Sequence, residues 1–175
     1  IKEAADNHPA PVWVAMEYRY MPPVTQFRNQ LLANDIGDMK MLSIREHRFP
    51  FLEKVQDWNR FNHKTGGTLV EKCCHFFDLM RLLTQSEVKR VFASTGQDVN
   101  HLDERYEGEQ PDIIDNAFVV LEFENGKRAS LDLNMFAEGS RYQEEICAIG
   151  SKAKLECFVP GPGRFWPVET LGDAP

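Results

Sequence analysis

The stretch from Gly66 to Leu83 constrains this chain more than any other. It reads Gly66-Gly67-Thr68-Leu69-Val70-Glu71-Lys72-Cys73-Cys74-His75-Phe76-Phe77-Asp78-Leu79-Met80-Arg81-Leu82-Leu83. Its apolar spacing predicts one helix of about five turns. At ~100° per residue, Glu71, His75, Asp78 and Leu82 share a stripe about 60° wide. Leu69, Val70, Cys73, Phe76, Phe77, Met80 and Leu83 fill most of the opposite side. One face is therefore expected to bury into a core, while the other carries a carboxylate, an imidazole and a second carboxylate in a row.

That core has material to draw on. The chain has 175 residues, of which 42% are hydrophobic and 27% charged, which fits one globular domain. A formal net charge of -7 argues against nonspecific binding to nucleic acid or to anionic lipid. No apolar run approaches ~18 residues, so no membrane span is expected. No secretory signal is visible, and Cys73, Cys74, Cys147 and Cys157 lack the CxxC spacing of a zinc site. Reduced, packed cysteines in a cytoplasmic protein are the expectation.

The rest of the chain is read around this helix. Ile1, Ala4 and Ala5 have helical spacing, ended by His8-Pro9-Ala10-Pro11. Val12 to Tyr20 reads as a strand with a polar end, Glu17-Tyr18-Arg19-Tyr20. Pro22-Pro23 opens a helix whose apolar side is Val24, Phe27, Leu31 and Leu32. Lys40 to Phe49 alternates Met41/Ser43/Arg45/His47 against Leu42/Ile44/Glu46/Arg48, a strand with at least one wet face. Asp57 to Thr65 reads as a loop anchored by Trp58 and Phe61. Beyond the central helix, Val88 to Ser94 is a strand and Asn100 to Pro111 an acidic loop. A hairpin follows, Ala117 to Phe123 and Arg128 to Phe136, with Asn125-Gly126 favouring a type I′ turn. Tyr142 to Ile149 and Ala153 to Val159 form a second pair. Gly161-Pro162-Gly163 is a turn, and the end trails to Pro175 without a terminal element. The expected class is α+β: a predominantly antiparallel open sheet, four strands in meander order, with helices on one face.

His75 is the leading candidate for chemistry, because imidazole exchanges a proton near neutral pH. Glu71 at i−4 and Asp78 at i+3 are its helix neighbours, and either could hold its tautomer. The plainer reading is a solvated polar stripe opposite a core. Glu71 also fits a capping box with Thr68, so spacing leaves it either a cap or a catalytic group. Three ligands from one straight helix converge poorly on a metal, so a metal-dependent hydrolase or isomerase using Glu71, His75 and Asp78 is the weaker reading. Strand alternation would put Glu17 and Arg19 on one side and Tyr18 and Tyr20 on the other, lining a polyol pocket. Alternatively Arg19 pairs with a carboxylate and the tyrosines cover the core. Lys64, Arg60 and Asn62 either reach the same cleft or sit in a solvated loop. No GxGxxG or Walker pattern occurs.

Gly66-Gly67-x-Leu69-x-Glu71-x-x-x-His75-x-x-Asp78 resembles the central motif of the glucose-fructose oxidoreductase / inositol dehydrogenase / rhizopine catabolism (Gfo/Idh/MocA) family. Val12 to Tyr20 followed by Pro22, Trp58 before the glycine pair, and Ile149-Gly150-Ser151-Lys152-Ala153-Lys154-Leu155-Glu156 are similar in order, so the likeness spans roughly Val12 to Phe158. It implies an NAD(P)-dependent oxidoreductase acting on the CH–OH group of a sugar, polyol or cyclitol. In that family a Rossmann domain binds NAD or NADP, and a C-terminal α/β domain binds substrate and dimerises through its open sheet. By analogy His75 is the general base and Glu71 supports it. Tyr18, Glu17, Arg19, Asp78 and Lys64 would border the substrate, and no residue of this chain would hold the cofactor.

Some positions depart from the pattern. Glu71 stands where the family has Asp, and Cys73 where it has Gly. The family's Glu-Lys-Pro lysine and Rossmann fingerprint are absent. Residues 1–11 are accordingly expected to be the tail of a missing Rossmann domain. Residues 12–175 would be the substrate and dimerisation domain, cut short at its end and inactive alone. A non-catalytic sensor or scaffold that kept the fold is the alternative.

Overall fold

The computed structural model describes residues 1–14 and 16–161, together with the backbone of a final strand. Short helix α1 (Lys2–Asp6) opens the chain. Helix α2 (Pro22–Leu32) begins with its prolines in the first turn, where no amide donor is needed. Strand β1 (Met39–His47) follows. Then come three helices: α3 (Asn62–Thr65), α4 (Thr68–Glu71) and α5 (Cys74–Thr84). Six more strands complete the order: β2 (Val88–Gly96), β3 (Asn116–Phe123), β4 (Arg128–Asn134), β5 (Glu144–Gly150), β6 (Ala153–Val159) and β7 (Arg164–Pro167). No helix among the described residues is long and apolar enough to cross a membrane.

The seven strands form one open sheet in the order β2-β3-β4-β1-β5-β6-β7. The expected α+β class stands, but the meander does not. Strand β1 inserts between the two hairpins, parallel to β4 and antiparallel to β5. Ile44 lies level with Leu131 on one side and Ile146 on the other, and Leu131 with Val119, so one row of apolar side chains crosses four strands. A strand buried on one face takes whichever partners extend that row, and the local signal cannot say which. The end expected to trail away without a terminal element instead carries β7, which pairs with β6. Residues 168–175, and the Pro162-Gly163 part of the expected turn, lie outside the described residues.

Helices α2 and α5 cover the inner face through Val24 and Phe27, and through Phe76, Leu79, Met80 and Leu83. Full burial of such a side chain contributes about 1.5–3 kcal/mol. Some expected core positions are wrong. Leu32 and Val70 are exposed, Trp58 is over a third exposed, and Leu79, on neither stripe, is fully buried. The hairpin turn also differs. Gly126 has φ +81° but Asn125 is not left-handed, and the Gly126 amide donates to Phe123 O, whereas a type I′ turn needs both residues left-handed. Asn125 instead donates through Nδ2 to Thr84 O, tying the turn to the end of α5.

The described residues of the stretch 12–20 form no strand. Val12, Trp13 and Val14 are largely exposed, and Glu17–Tyr20 forms a 3₁₀ helix. With no neighbouring strand to pair, its polar groups close local turns instead, Arg19 N to Met16 O and Met21 N to Tyr18 O. The expected loop before the glycines is likewise ordered, as an irregular 3₁₀ stretch Val55–Arg60 and α3. Its anchor is buried Arg60, which binds Glu104 at 3.0 Å and Phe51 O at 3.2 Å. Burial raises the Glu104 pKa, but hydrogen bonds from His101, Tyr106 and Arg60 outweigh it and take the carboxyl from its ordinary 4.5 to about 2. Stability from this group is full above pH 4.5 and is lost as pH falls toward 2. Glu104→Gln is expected to flatten that acid limb in urea titrations between those values; an unchanged limb would show that Glu104 does not fasten the 100–111 loop.

Candidate active site

The expected five-turn helix is broken. Gly66 (φ +80°) ends α3 and Gly67 (φ +84°) starts α4, both in backbone that only glycine adopts without strain. The Thr68 hydroxyl donates to Ile114 O at 2.6 Å rather than capping the helix, so the capping box does not form. The Cys73 amide reaches back five residues to Thr68 O, and Cys73 itself has ψ near zero (-3°). This widened turn separates α4 from α5, and Lys72 lies in it.

Lys72 meets β1 and the 3₁₀ helix Glu17–Tyr20 at one point. Its Nζ lies 2.9 Å from Glu46 Oε1 and 3.4 Å from the Tyr18 hydroxyl. Glu46 is 0% exposed, and Arg48 Nη1 donates to the same oxygen at 3.1 Å. Burial pushes the Glu46 carboxyl above its ordinary range, while Lys72 and Arg48 oppose the rise. Tyr18 gives its hydroxyl proton to Glu144 Oε1 at 2.6 Å, and Gln143 Nε2 donates to that oxygen at 2.6 Å. Burial, with the Glu144 bond, holds the Tyr18 phenol far above its ordinary pKa, so it stays neutral.

His75 stacks on Tyr18 with ring centroids 5.2 Å apart and planes 26° from parallel. Phe76 meets Tyr18 edge-on at 5.4 Å. His75 Nδ1 is buried and lies 3.5 Å from Glu17 Oε2, without a hydrogen bond between them. The side chain keeps 20% of its surface exposed, so its reachable edge is the one away from Nδ1.

The expected candidates divide. Glu17, Tyr18 and His75 come together. Asp78 does not touch the ring: Arg19 grips it through Nε and Nη2, the pairing foreseen as the plainer option for Arg19. Glu71 is no cap, and its Oε2 is buried without a partner. Lys64 lies elsewhere, over Phe61 and beside a cavity of about 440 Å³ that Tyr106 and Glu109 also line. Arg60 is committed to Glu104, and Asn62 to Asp112. No group of three His, Cys, Asp or Glu among the described residues is disposed to hold a metal ion. Burial raises the Cys73 and Cys74 thiols, which keeps both protonated.

Sequence reading missed Glu46, Lys72 and Glu144. The signals were present. Glu46 continues the Leu42/Ile44 alternation, Glu144 the Ile146/Ala148 one, and Lys72 stands four residues before Phe76. Buried polar side chains are nearly always hydrogen-bonded. Among the described residues the buried ones without a partner are Glu46 Oε2, Arg48 Nε, Glu71 Oε2 and His75 Nδ1, all in this cluster or the turn beside it.

Comparison with known proteins places the chain in a family. Residues 28–166 match the family described as "Oxidoreductase family, C-terminal alpha/beta domain". The chain belongs to the Gfo/Idh/MocA oxidoreductase family. No curated protein matches it in sequence. Solved structures share the Gfo/Idh/MocA domain fold. An oxidoreductase domain protein from Kribbella flavida is 19% identical with TM-score 0.76, over 92% of this chain and 44% of its own. The WlbA dehydrogenase of Bordetella pertussis, in complex with NADH and UDP-GlcNAcA, is 17% identical with TM-score 0.67, over 89% and 46%. A super-repressor mutant of Gal80p from Saccharomyces cerevisiae is 14% identical with TM-score 0.73, over 90% and 43%. The chain thus spans less than half the length of each.

Proposed function

We propose that this chain is the substrate-binding and oligomerisation domain of an NAD(P)-dependent oxidoreductase. It would act on the CH–OH group of a sugar, polyol or cyclitol, with His75 as general base. The observation that carries this is the imidazole stacked on buried Tyr18, with its Nδ1 edge turned to Glu17 and its other edge accessible. A carboxylate beside Nδ1 favours the tautomer that leaves Nε2 free to accept a proton. Nε2 would take the substrate hydroxyl proton. Glu17 would stabilise the imidazolium that results, and Glu71 would add negative potential from the turn before His75. The Arg19–Asp78 fork would hold the 3₁₀ helix against α5, so that Tyr18 and Glu17 keep their places.

When bound, a nicotinamide cofactor supplies the hydride acceptor. This sequence has no dinucleotide fingerprint, so its residues do not fit that group; residues 12–175 would serve a cofactor domain elsewhere in a longer protein, and residues 1–11 would be the tail of that domain. Calorimetry of this chain with NAD(H) or NADP(H) is therefore expected to give no binding signal, and tight binding would refute the division of labour. The longer protein, given a panel of polyols with each cofactor, should reduce nicotinamide with at least one of them. No reduction across the panel would instead favour a sensor or scaffold, a reading in keeping with the shared fold of the Gal80p super-repressor mutant.

The outer face of the sheet supports self-association. Phe92 lies opposite Val120, with Phe118 two residues along the same strand, and Met41 lies opposite Ile149, all exposed. Apolar groups clustered on an open sheet favour covering by a second copy. Phe118→Lys is expected to turn a dimer into monomer in sedimentation velocity; a wild-type chain that sediments as a monomer at all concentrations would remove this part.

A further inference from the structure

We propose that Lys72 is a positioning residue for His75, acting through Tyr18; the proposal rests on the reading of His75 as the base. Lys72 is 11% exposed and its partner Glu46 0%. Removing two charges from water costs several kcal/mol each, and well-packed apolar side chains generally hold a fold as well as a buried ion pair does. Stability alone therefore does not account for an ammonium here, whereas its contacts do. An ammonium has three protons and a phenol hydroxyl has one. Tyr18 gives its single proton to Glu144, which leaves its oxygen lone pair to accept, and Lys72 is the donor aimed at it. Glu46 takes a second Lys72 proton. The same Nζ stands 5.6 Å from the ring centroids of both Tyr18 and Phe76, within cation–π reach.

Tyr18 is thus held at its hydroxyl from two sides and at its ring by Phe76. His75 is not held in that way. Its Nδ1 has no aligned hydrogen bond, and Glu17, the nearest carboxylate, is more than half exposed. The stack on Tyr18 is what sets the plane of the imidazole, so whatever fixes Tyr18 fixes His75. The broken helix serves the same end, because the widened turn at Cys73 places Lys72 beside Glu46 and Tyr18.

The test is NMR of the full chain, wild type and three variants, reading the His75 ring C–H resonances that a stacked Tyr18 displaces. Lys72→Met should lose that displacement. The paired Glu46→Gln/Lys72→Met variant removes both charges and should melt like wild type, yet still lose it. Lys72→Arg keeps a cationic donor and should retain it. A paired variant that keeps the displacement would reduce Lys72 to half of an ion pair and overturn the proposal. Should the methionine variants not fold, the wild-type spectrum decides. Nuclear Overhauser contacts from Lys72 to the Tyr18 ring, and from that ring to His75, are both expected, and absence of either overturns it. Failure of the base reading would look different: these contacts intact, and turnover unaffected in His75→Ala.

Discussion

His75→Ala in the longer protein is expected to lower turnover on a responsive polyol by about 10²–10⁴-fold, the usual contribution of a positioned acid–base group. The loss should fall on kcat, with cofactor affinity nearly unchanged, because His75 belongs to a domain without a dinucleotide fingerprint. The imidazole leans on Tyr18 and makes no ladder or core hydrogen bond, so its removal leaves the fold standing. Steady-state kinetics across the polyol panel, with circular dichroism as the control for folding, measures this. Glu17→Gln should cost less than His75→Ala, since it removes only the charge beside Nδ1. Wild-type turnover in the alanine variant would remove the proposed mechanism and leave membership of the family.

Glu46→Leu is expected to cost about 3–5 kcal/mol, the range for breaking a buried pair by removing one partner. Both Lys72 and Arg48 would lose their shared acceptor, and Lys72 would be left almost fully buried with its charge uncompensated. Against a total stability of about 5–15 kcal/mol for a native domain, this is a large share. Urea denaturation measures it, and a second change, Lys72→Met, should restore much of the loss because no buried charge then stands alone. A Glu46→Leu variant as stable as wild type would mean that the carboxyl is held uncharged. The pH dependence of this group runs opposite to that of Glu104. Burial raises the folded-state pKa of Glu46, so the native state binds its proton more tightly than the unfolded chain does. Its contribution is full in acid, below the ordinary carboxylate value, and is lost as pH rises from there through the raised folded-state value.

The parts legible in the sequence were those set by short-range periodicity. The alternation in β1, the two hairpins and the prolines opening α2 each follow from side-chain direction or a fixed φ within a few residues. The candidate imidazole was legible for the same reason, since glycines, acids and histidine stand at helical spacing in one stretch. The position of Glu46 and Glu144 on an inward face was also written in their alternation, but a carboxylate on an apolar row reads as the end of the row until its partner is known.

Tertiary structure decided the rest. Whether β1 pairs inside or outside the hairpins depends on which arrangement completes the apolar row through Ile44, Leu131 and Ile146, residues far apart in the chain. Val12 to Tyr20 has strand-like composition, yet it lacks a neighbouring strand and closes into a 3₁₀ turn that brings Tyr18 to Glu144. The helix expected from Gly66 to Leu83 breaks where Lys72 meets Glu46. The carboxylate beside His75 comes from Glu17 of another segment rather than from a helix neighbour. Sequence alone determined the chemistry available along each element, because backbone periodicity acts locally. Only the folded chain decided which charges face each other, because a buried charge settles on whichever opposite partner the packing brings within reach.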